Sequence, residues 1–129
     1  YMYQFAKKPS SAFTKNYEVY IDKLDFNRMY LAAQDFVGTH DFKGFCQYVE
    51  GKPTIKTVYE VKVQETTKYI RFIFHGQSFL KYMMGTLISI GQGKKEVGII
   101  KEILESKERA LAGKTAEAWG LYLVKIHYR

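Results

Sequence analysis

The clearest alternating pattern runs from Thr54 to Gln64, where Ile55, Thr57, Tyr59, Val61 and Val63 alternate with Lys56, Val58, Glu60 and Lys62. Alternation of this kind puts successive side chains on opposite faces of a strand. Tyr69 to His75 repeats it after a short turn at Glu65 to Thr67, so the pair predicts an antiparallel hairpin. The period then changes. Leu80, Met83, Met84, Leu87 and Gly91 recur every three or four residues, which predicts a helix with one apolar, close-packed face. Gly76 offers the freedom for a strand-to-helix turn, Ser78 is the candidate N-cap, and Gly91 or Gly93 the left-handed stop. The rest of the chain is arranged around this helix.

Weaker patterns fill in the remainder. Tyr1 to Phe5 alternates as a strand, Lys7 to Asn16 is a polar loop, and Tyr17 to Ile21 is a short strand candidate. Asp25 caps a predicted helix running to about Val37, with Phe26, Met29, Tyr30, Ala33 and Val37 inward and Gly38 as its stop. Thr39 to Pro53 reads as irregular and aromatic-rich. Lys95 to Ser106 predicts another helix, with Val97, Ile100, Ile103 and Leu104 on one face. Arg109 to Trp119 reads as mostly loop, and Leu121 to Tyr128 as a closing strand apolar enough for an interior position. The sum is an α+β fold in a single domain over residues 1–129, with helices packed on one face of a mainly antiparallel sheet.

The opposite sheet face would carry Lys56, Lys62, Arg71, Lys125 and several tyrosines. That is either an ordinary solvated face or a nucleic-acid platform, on which rings stack with bases while cations hold phosphates. Charge favours a polyanionic partner: 20 Lys plus Arg against 13 Asp plus Glu give +7, spread along the chain and not gathered in a tail. Apolar residues at 47% and aromatics at 16% exclude a disordered chain. No apolar run approaches the roughly 18 residues of a membrane helix, and the start is not a signal peptide. Beginning on Tyr1 in a strand-like stretch, the sequence reads as a piece of something longer, though processing gives the same look.

Cys46 is the single cysteine, which excludes an intrachain disulfide and a thiolate metal cluster. Among Phe42, Phe45 and Tyr48 it reads as a small buried hydrophobe, and a reducing cytoplasm is the expected compartment. His40, His75 and His127 are isolated in sequence and have no metal-ligand spacing, so no metal is expected. Gly91-Gln92-Gly93-Lys94-Lys95 lacks the spacing of a phosphate loop and follows a helix; it reads as a helix stop with two exposed lysines. His40-Asp41 is open to two readings, an acid–base couple or a turn capped by Asp41, and the cap fits better. On these residues alone the chain is a basic α+β domain suited to RNA.

Several stretches together resemble the C-terminal half of the tRNA pseudouridine synthase A family. They are Gly38-Thr39-His40-Asp41-Phe42-Lys43-Gly44-Phe45; Thr54-Ile55-Lys56-Thr57-Val58, with Lys56 where the family has Arg; Phe79-Leu80 through Gly85-Thr86-Leu87 to Gly93; and Arg109 through Ala112-Gly113, Thr115-Ala116 and Gly120-Leu121-Tyr122-Leu123. The resemblance implies a partner, tRNA, whose anticodon-arm uridine is flipped out, detached with an aspartate's help, rotated and rejoined through carbon. It implies no cofactor, and a homodimer for the full-length protein. It implies that a tyrosine of Tyr1-Met2-Tyr3 packs against the target base, Tyr1 first and Tyr3 second, and that Leu121 or Leu123 lines the pocket. Lys56, Lys81 and Arg109 are the implied RNA-contacting cations. Two departures stand out. The Arg-Thr-Asp-x-Gly motif bearing the catalytic aspartate does not occur, so no catalytic residue is assigned here. The run Met83-Met84 also passes straight into Gly85, about four residues short of the family pattern. That is close to one helical turn, and the missing turn would carry the arginine that pairs with the catalytic carboxylate. The chain alone is therefore expected to be inactive; the alternatives are a non-catalytic RNA-binding module and a structural or dimerisation domain.

Overall fold

The computed structural model describes residues 1–7, 18–46, 51, 53–77 and 81–113. Within them lie strands β1 (Met2–Ala6), β2 (Glu18–Val19), β3 (Gly38–Asp41), β4 (Ile55–Glu65) and β5 (Tyr69–Gly76), and helices α1 (Phe26–Ala33), α2 (Lys81–Gly91) and α3 (Ile99–Ser106). The strands form one sheet in the order β2-β1-β5-β4-β3, antiparallel except for the short β1–β2 pair. This is the expected α+β fold. The hairpin forms as expected, and Thr66 shapes its turn: its hydroxyl oxygen accepts the N–H groups of Lys68 at 3.2 Å and Tyr69 at 3.1 Å.

Four expectations need correction. First, β4 does not alternate strictly. Val58 lies opposite Gly76 but Glu60 opposite His75, so Tyr59 is an extra residue, a β-bulge. The bulge lets Val58 and Val61, three apart, both face the core, and leaves Ile55 and Tyr59 exposed. It also puts Lys56 and Lys62 on opposite faces, so the expected row of Lys56, Lys62 and Arg71 on one face does not form. Second, the irregular stretch after Gly38 contains β3, paired to β4 from Gly38↔Val58 to Asp41↔Ile55, and then a 3-10 turn, Lys43–Phe45. Third, the last helix starts at Ile99, not near Lys95; Gly98 is its N-cap, and Lys107 ends it in the left-handed region at φ 61°. Fourth, the loop after Arg109 opens with a 3-10 turn, Arg109–Leu111. The closing strand expected over Leu121 to Tyr128, like Lys125, lies outside the described residues.

The helices pack on the sheet face made by Tyr3, Phe5, Val58, Val61, Ile70, Phe72 and Phe74. Asp25 caps α1 as expected, its side chain accepting the Arg28 N–H at 3.1 Å. Helix α2 is more deeply set than a one-faced pattern implies: every residue from Met83 to Gly91 is buried. Gly91 is helical and earns its place by proximity, since a Cβ there would sit 2.6 Å from Met29 Sδ; the left-handed turn falls at Gly93, φ 77°. No described helix is long and apolar enough to cross a membrane.

Candidate RNA-facing site at the start of the central helix

The end of strand β5 lies close against β4. A Cβ on Gly76 would lie 2.7 Å from the Thr57 carbonyl oxygen and 2.9 Å from Val58 Cα, so backbone proximity, not a left-handed turn, requires glycine. The next residue, Gln77, clasps β4 twice. Its N–H donates to the Thr57 carbonyl at 2.9 Å, and its side-chain oxygen accepts the Thr57 N–H at 2.9 Å. Its carbonyl in turn accepts the Tyr1 hydroxyl at 3.3 Å. Tyr1 is half-buried and tied at its backbone to Phe74, whose N–H donates to the Tyr1 carbonyl at 2.8 Å.

Of the residues singled out in the sequence, Tyr1 bonds to Gln77 and Arg109 to Tyr82, while Lys56 and Lys81 are chain neighbours of residues in those contacts. Tyr1 is joined through Gln77 to Thr57, whose neighbour Lys56 is half-buried opposite His40. Lys81 is exposed at the first residue of α2. Arg109 reaches the same turn: Nη1 donates to the Tyr82 hydroxyl, and the guanidinium carbon lies 5.2 Å from the centroid of that ring, a cation–π contact. One turn on, the buried Thr86 hydroxyl spans the Tyr82 carbonyl at 2.7 Å and the Ala112 carbonyl at 2.9 Å, holding the Arg109 segment against α2. Tyr3 does not join them. It is 0% exposed and packs edge-on to Phe74, centroids 6.4 Å apart. Leu121 and Leu123 lie outside the described residues.

Sequence reasoning passed over Gln77, Tyr82 and Arg28. The Arg28 Nε donates to the Ile90 carbonyl at 3.1 Å and Nη2 to the Lys95 carbonyl at 3.0 Å, closing the C-terminal end of α2. Nothing in the local sequence marks Arg28, because its partners are 62 and 67 residues away.

The His40-Asp41 pair resolves as a cap. Asp41 Oδ1 accepts the Lys43 N–H at 3.1 Å, and Oδ2 lies 3.5 Å from Lys107 Nζ. The Thr54 hydroxyl above all, with the Lys43 N–H and Lys107 adding to it, holds its carboxyl below the ordinary value against the opposing effect of burial, the second-largest influence. His40 Nε2 sits 2.9 Å from the Val37 carbonyl, an acceptor only, so that nitrogen carries the proton. Burial raises the Cys46 thiol, with the Asp41 charge adding to it, so the group stays protonated and unreactive at neutral pH. Among the described residues no cluster of three or more His, Cys, Asp or Glu could hold a metal. An open groove beside α1, lined by Leu24, Phe26, Tyr30, Val61, Val63 and Ile70, shares no residue with the Tyr1–Gln77–Thr57 cluster.

These contacts comprise an aromatic ring held at its hydroxyl, with one cation on β4, one at the start of α2 and one in the 3-10 turn that reaches it. Comparison with known proteins places the chain in a family. Residues 32–129 match the family described as tRNA pseudouridine synthase. The chain is similar to tRNA pseudouridine synthase A of Staphylococcus saprophyticus, 38% identical over 132 aligned positions that cover 98% of this chain and 49% of that protein. It is 39% identical to tRNA pseudouridine synthase A 1 of Bacillus cereus, covering 94% of this chain and 51% of the relative. With tRNA pseudouridine synthase A of Acetivibrio thermocellus the identity is 40%, over 82% of this chain and 46% of the relative. The chain thus spans about half the length of the curated relatives it matches. With the family pattern running through β3, the hairpin, α2 and the segment that carries Arg109, the chain belongs to the tRNA pseudouridine synthase family.

Proposed function

We propose that this chain is the C-terminal half of a tRNA pseudouridine synthase acting on anticodon-arm uridines, and that it supplies the RNA-orienting side of the cleft without catalysing the reaction alone. The observations that support this reading are the Tyr1 hydroxyl held on Gln77, which also clasps Thr57 beside Lys56, and Arg109 held on Tyr82, the neighbour of Lys81. Each has a distinct task. The Tyr1 ring packs against the extruded uracil, which has lost its stacking partners in the RNA. Lys56, Lys81 and Arg109 hold backbone phosphates and fix the register of the loop. Leu121 or Leu123 supplies the apolar wall that keeps water from the base during its rotation. Of Tyr1 and Tyr3, the exposure of each favours Tyr1 as the base-packing residue.

Inactivity follows from two missing groups. The aspartate motif that starts glycosidic cleavage is not in this sequence, and α2 carries no arginine between Lys81 and Gly91. The full protein, on this reading, is a cytoplasmic homodimer that needs no cofactor.

The test is to incubate the purified chain with a tRNA transcript, measuring pseudouridine formation and binding separately. Binding is expected without turnover, with affinity falling on a log–log salt slope of about −2 to −3 for three phosphate contacts. Pseudouridine formed by this chain alone would overturn the claim of inactivity. Absent or salt-insensitive tRNA binding would overturn the RNA role and leave a structural or dimerisation domain.

A further inference from the structure

We infer that Gln77 is a positioning residue for the Tyr1 ring, setting the orientation in which that ring meets the target base. The inference rests on the proposed reading that Tyr1 packs against uracil, and it assigns a role to a residue that touches neither the base nor the RNA backbone.

The regular ladder between β4 and β5 ends at Val58↔Gly76, beside the bulge at Tyr59. Past that pair the chain turns away towards α2, and the Thr57 N–H and carbonyl would lose their partners. Gln77 satisfies both, the carbonyl with its own N–H and the N–H with its side-chain oxygen, each at 2.9 Å. The side chain thus stands in for the next rung of the ladder. Two bonds to one residue, from its N–H and its side chain, anchor Gln77 against β4 and restrict the backbone from which its carbonyl projects. That carbonyl is the acceptor for the Tyr1 hydroxyl at 3.3 Å. The Tyr1 ring is therefore held at both ends, by the bond between its carbonyl and Phe74 and by its hydroxyl on Gln77.

A ring that receives an extruded base gains from being fixed beforehand, because the ordering cost is then met in folding and not on binding. Gln77 is exposed, so its amide is not needed to fill the core. The hydrogen bonds also specify the chemistry. Only an acceptor is required at the end of the side chain, so Gln77→Glu keeps both bonds while Gln77→Ala keeps the backbone bond and loses the side-chain one.

The experiment uses the 129-residue chain and an anticodon-arm stem-loop RNA with a single 5-fluorouridine in the loop. The fluorine chemical shift of the bound base reports ring contact, and fluorescence anisotropy of the same RNA reports affinity. Tyr1→Phe, which keeps the ring and removes its hydroxyl anchor, and Gln77→Ala are each expected to lose about half or more of the bound-state shift, with the double variant losing no more than either alone. Affinity should stay within about twofold, since the phosphate contacts are untouched. Gln77→Glu should match the unaltered chain. If Gln77→Ala leaves the shift unchanged, or adds to Tyr1→Phe as an independent loss, the positioning role is overturned while the base-packing reading stands. If the unaltered chain gives no shift beyond that of Tyr1→Ala, the base-packing reading falls and the positioning role with it.

Discussion

The two ends of α2 are held in opposite ways. At its C-terminal end the contacts are close and buried or part-buried: Gly91 lies under Met29, the Asp25 N–H donates to the Gly91 carbonyl at 2.8 Å, and Arg28 spans the Ile90 and Lys95 carbonyls. At its N-terminal end the contacts are exposed and made by long side chains, Arg109 on Tyr82 and Gln77 on Thr57. The difference follows from the solvent. A buried hydrogen bond left unmade exposes no group to water and costs its full desolvation, whereas an exposed one is replaced by water. The contacts at the C-terminal end are therefore the costlier ones to lose.

Gly76 is the exception that would break this contrast, and it carries the largest expected effect. It belongs to the exposed end, yet its surroundings are backbone that cannot give way. Gly76→Ala should cost about 3 kcal/mol by forcing β4 and β5 apart. Chemical denaturation would measure it. A loss under about 1 kcal/mol would mean that the hairpin end is soft, and that rigidity is not confined to the buried end.

Next comes the arginine at the buried end. Arg28→Ala removes both donors from part-buried carbonyls and should cost about 2 kcal/mol. Arg28→Lys should recover less than half of that, because an ammonium cannot present a fork to two carbonyls at once. Equal stability of the two variants would show that charge near the helix C-terminus, not the fork, is what matters.

The same contrast explains what the sequence made legible. Strand, helix and turn positions followed from local periodicity wherever the apolar pattern was strong, as in the hairpin, the Asp25 cap and α2. Strand β3 escaped because Gly38-Thr39-His40-Asp41 has no apolar alternation and holds its place only through pairing with β4. The bulge at Tyr59 escaped because one extra residue leaves a β-rich run looking unbroken while it reverses the faces beyond it. At the site, Tyr1, Lys56, Lys81 and Arg109 were named by motif, but what joins them was not. Gln77, Tyr82 and Arg28 act on partners distant in the chain, and no period or spacing encodes that. Tyr1 and Tyr3 share one motif and one side of β1, and only burial separates them.

A smaller effect belongs to Asp41, whose carboxyl is held below 3.8 by the Thr54 hydroxyl first, then by the Lys43 N–H and Lys107. A depressed carboxylate stabilises the fold fully above its unfolded pKa, and the contribution is lost as pH falls through the lower folded value. Asp41→Asn should therefore flatten the acid side of the stability profile below about pH 4 and leave its slope between about pH 5 and 8 unchanged. Thermal melts across that range would test it, and an altered slope near neutrality would point to a different titrating group.

Arg109 should have the least effect on the fold and a clear one on binding, so it sharpens the contrast most directly. Its bond to Tyr82 is exposed, and an exposed cation–π contact contributes only about 0.5–1 kcal/mol. Arg109→Ala should lower stability by less than about 1 kcal/mol, while reducing the salt slope of tRNA binding by about 1, the signature of one lost phosphate contact. Arg109→Lys should restore the slope, because a single charge suffices for that, but not the geometry over the Tyr82 ring. If instead Arg109→Ala unfolds the start of α2 and leaves the salt slope intact, this arginine is a brace like Arg28. The two ends of the helix would then be built alike, and the RNA-facing cations would reduce to Lys56 and Lys81.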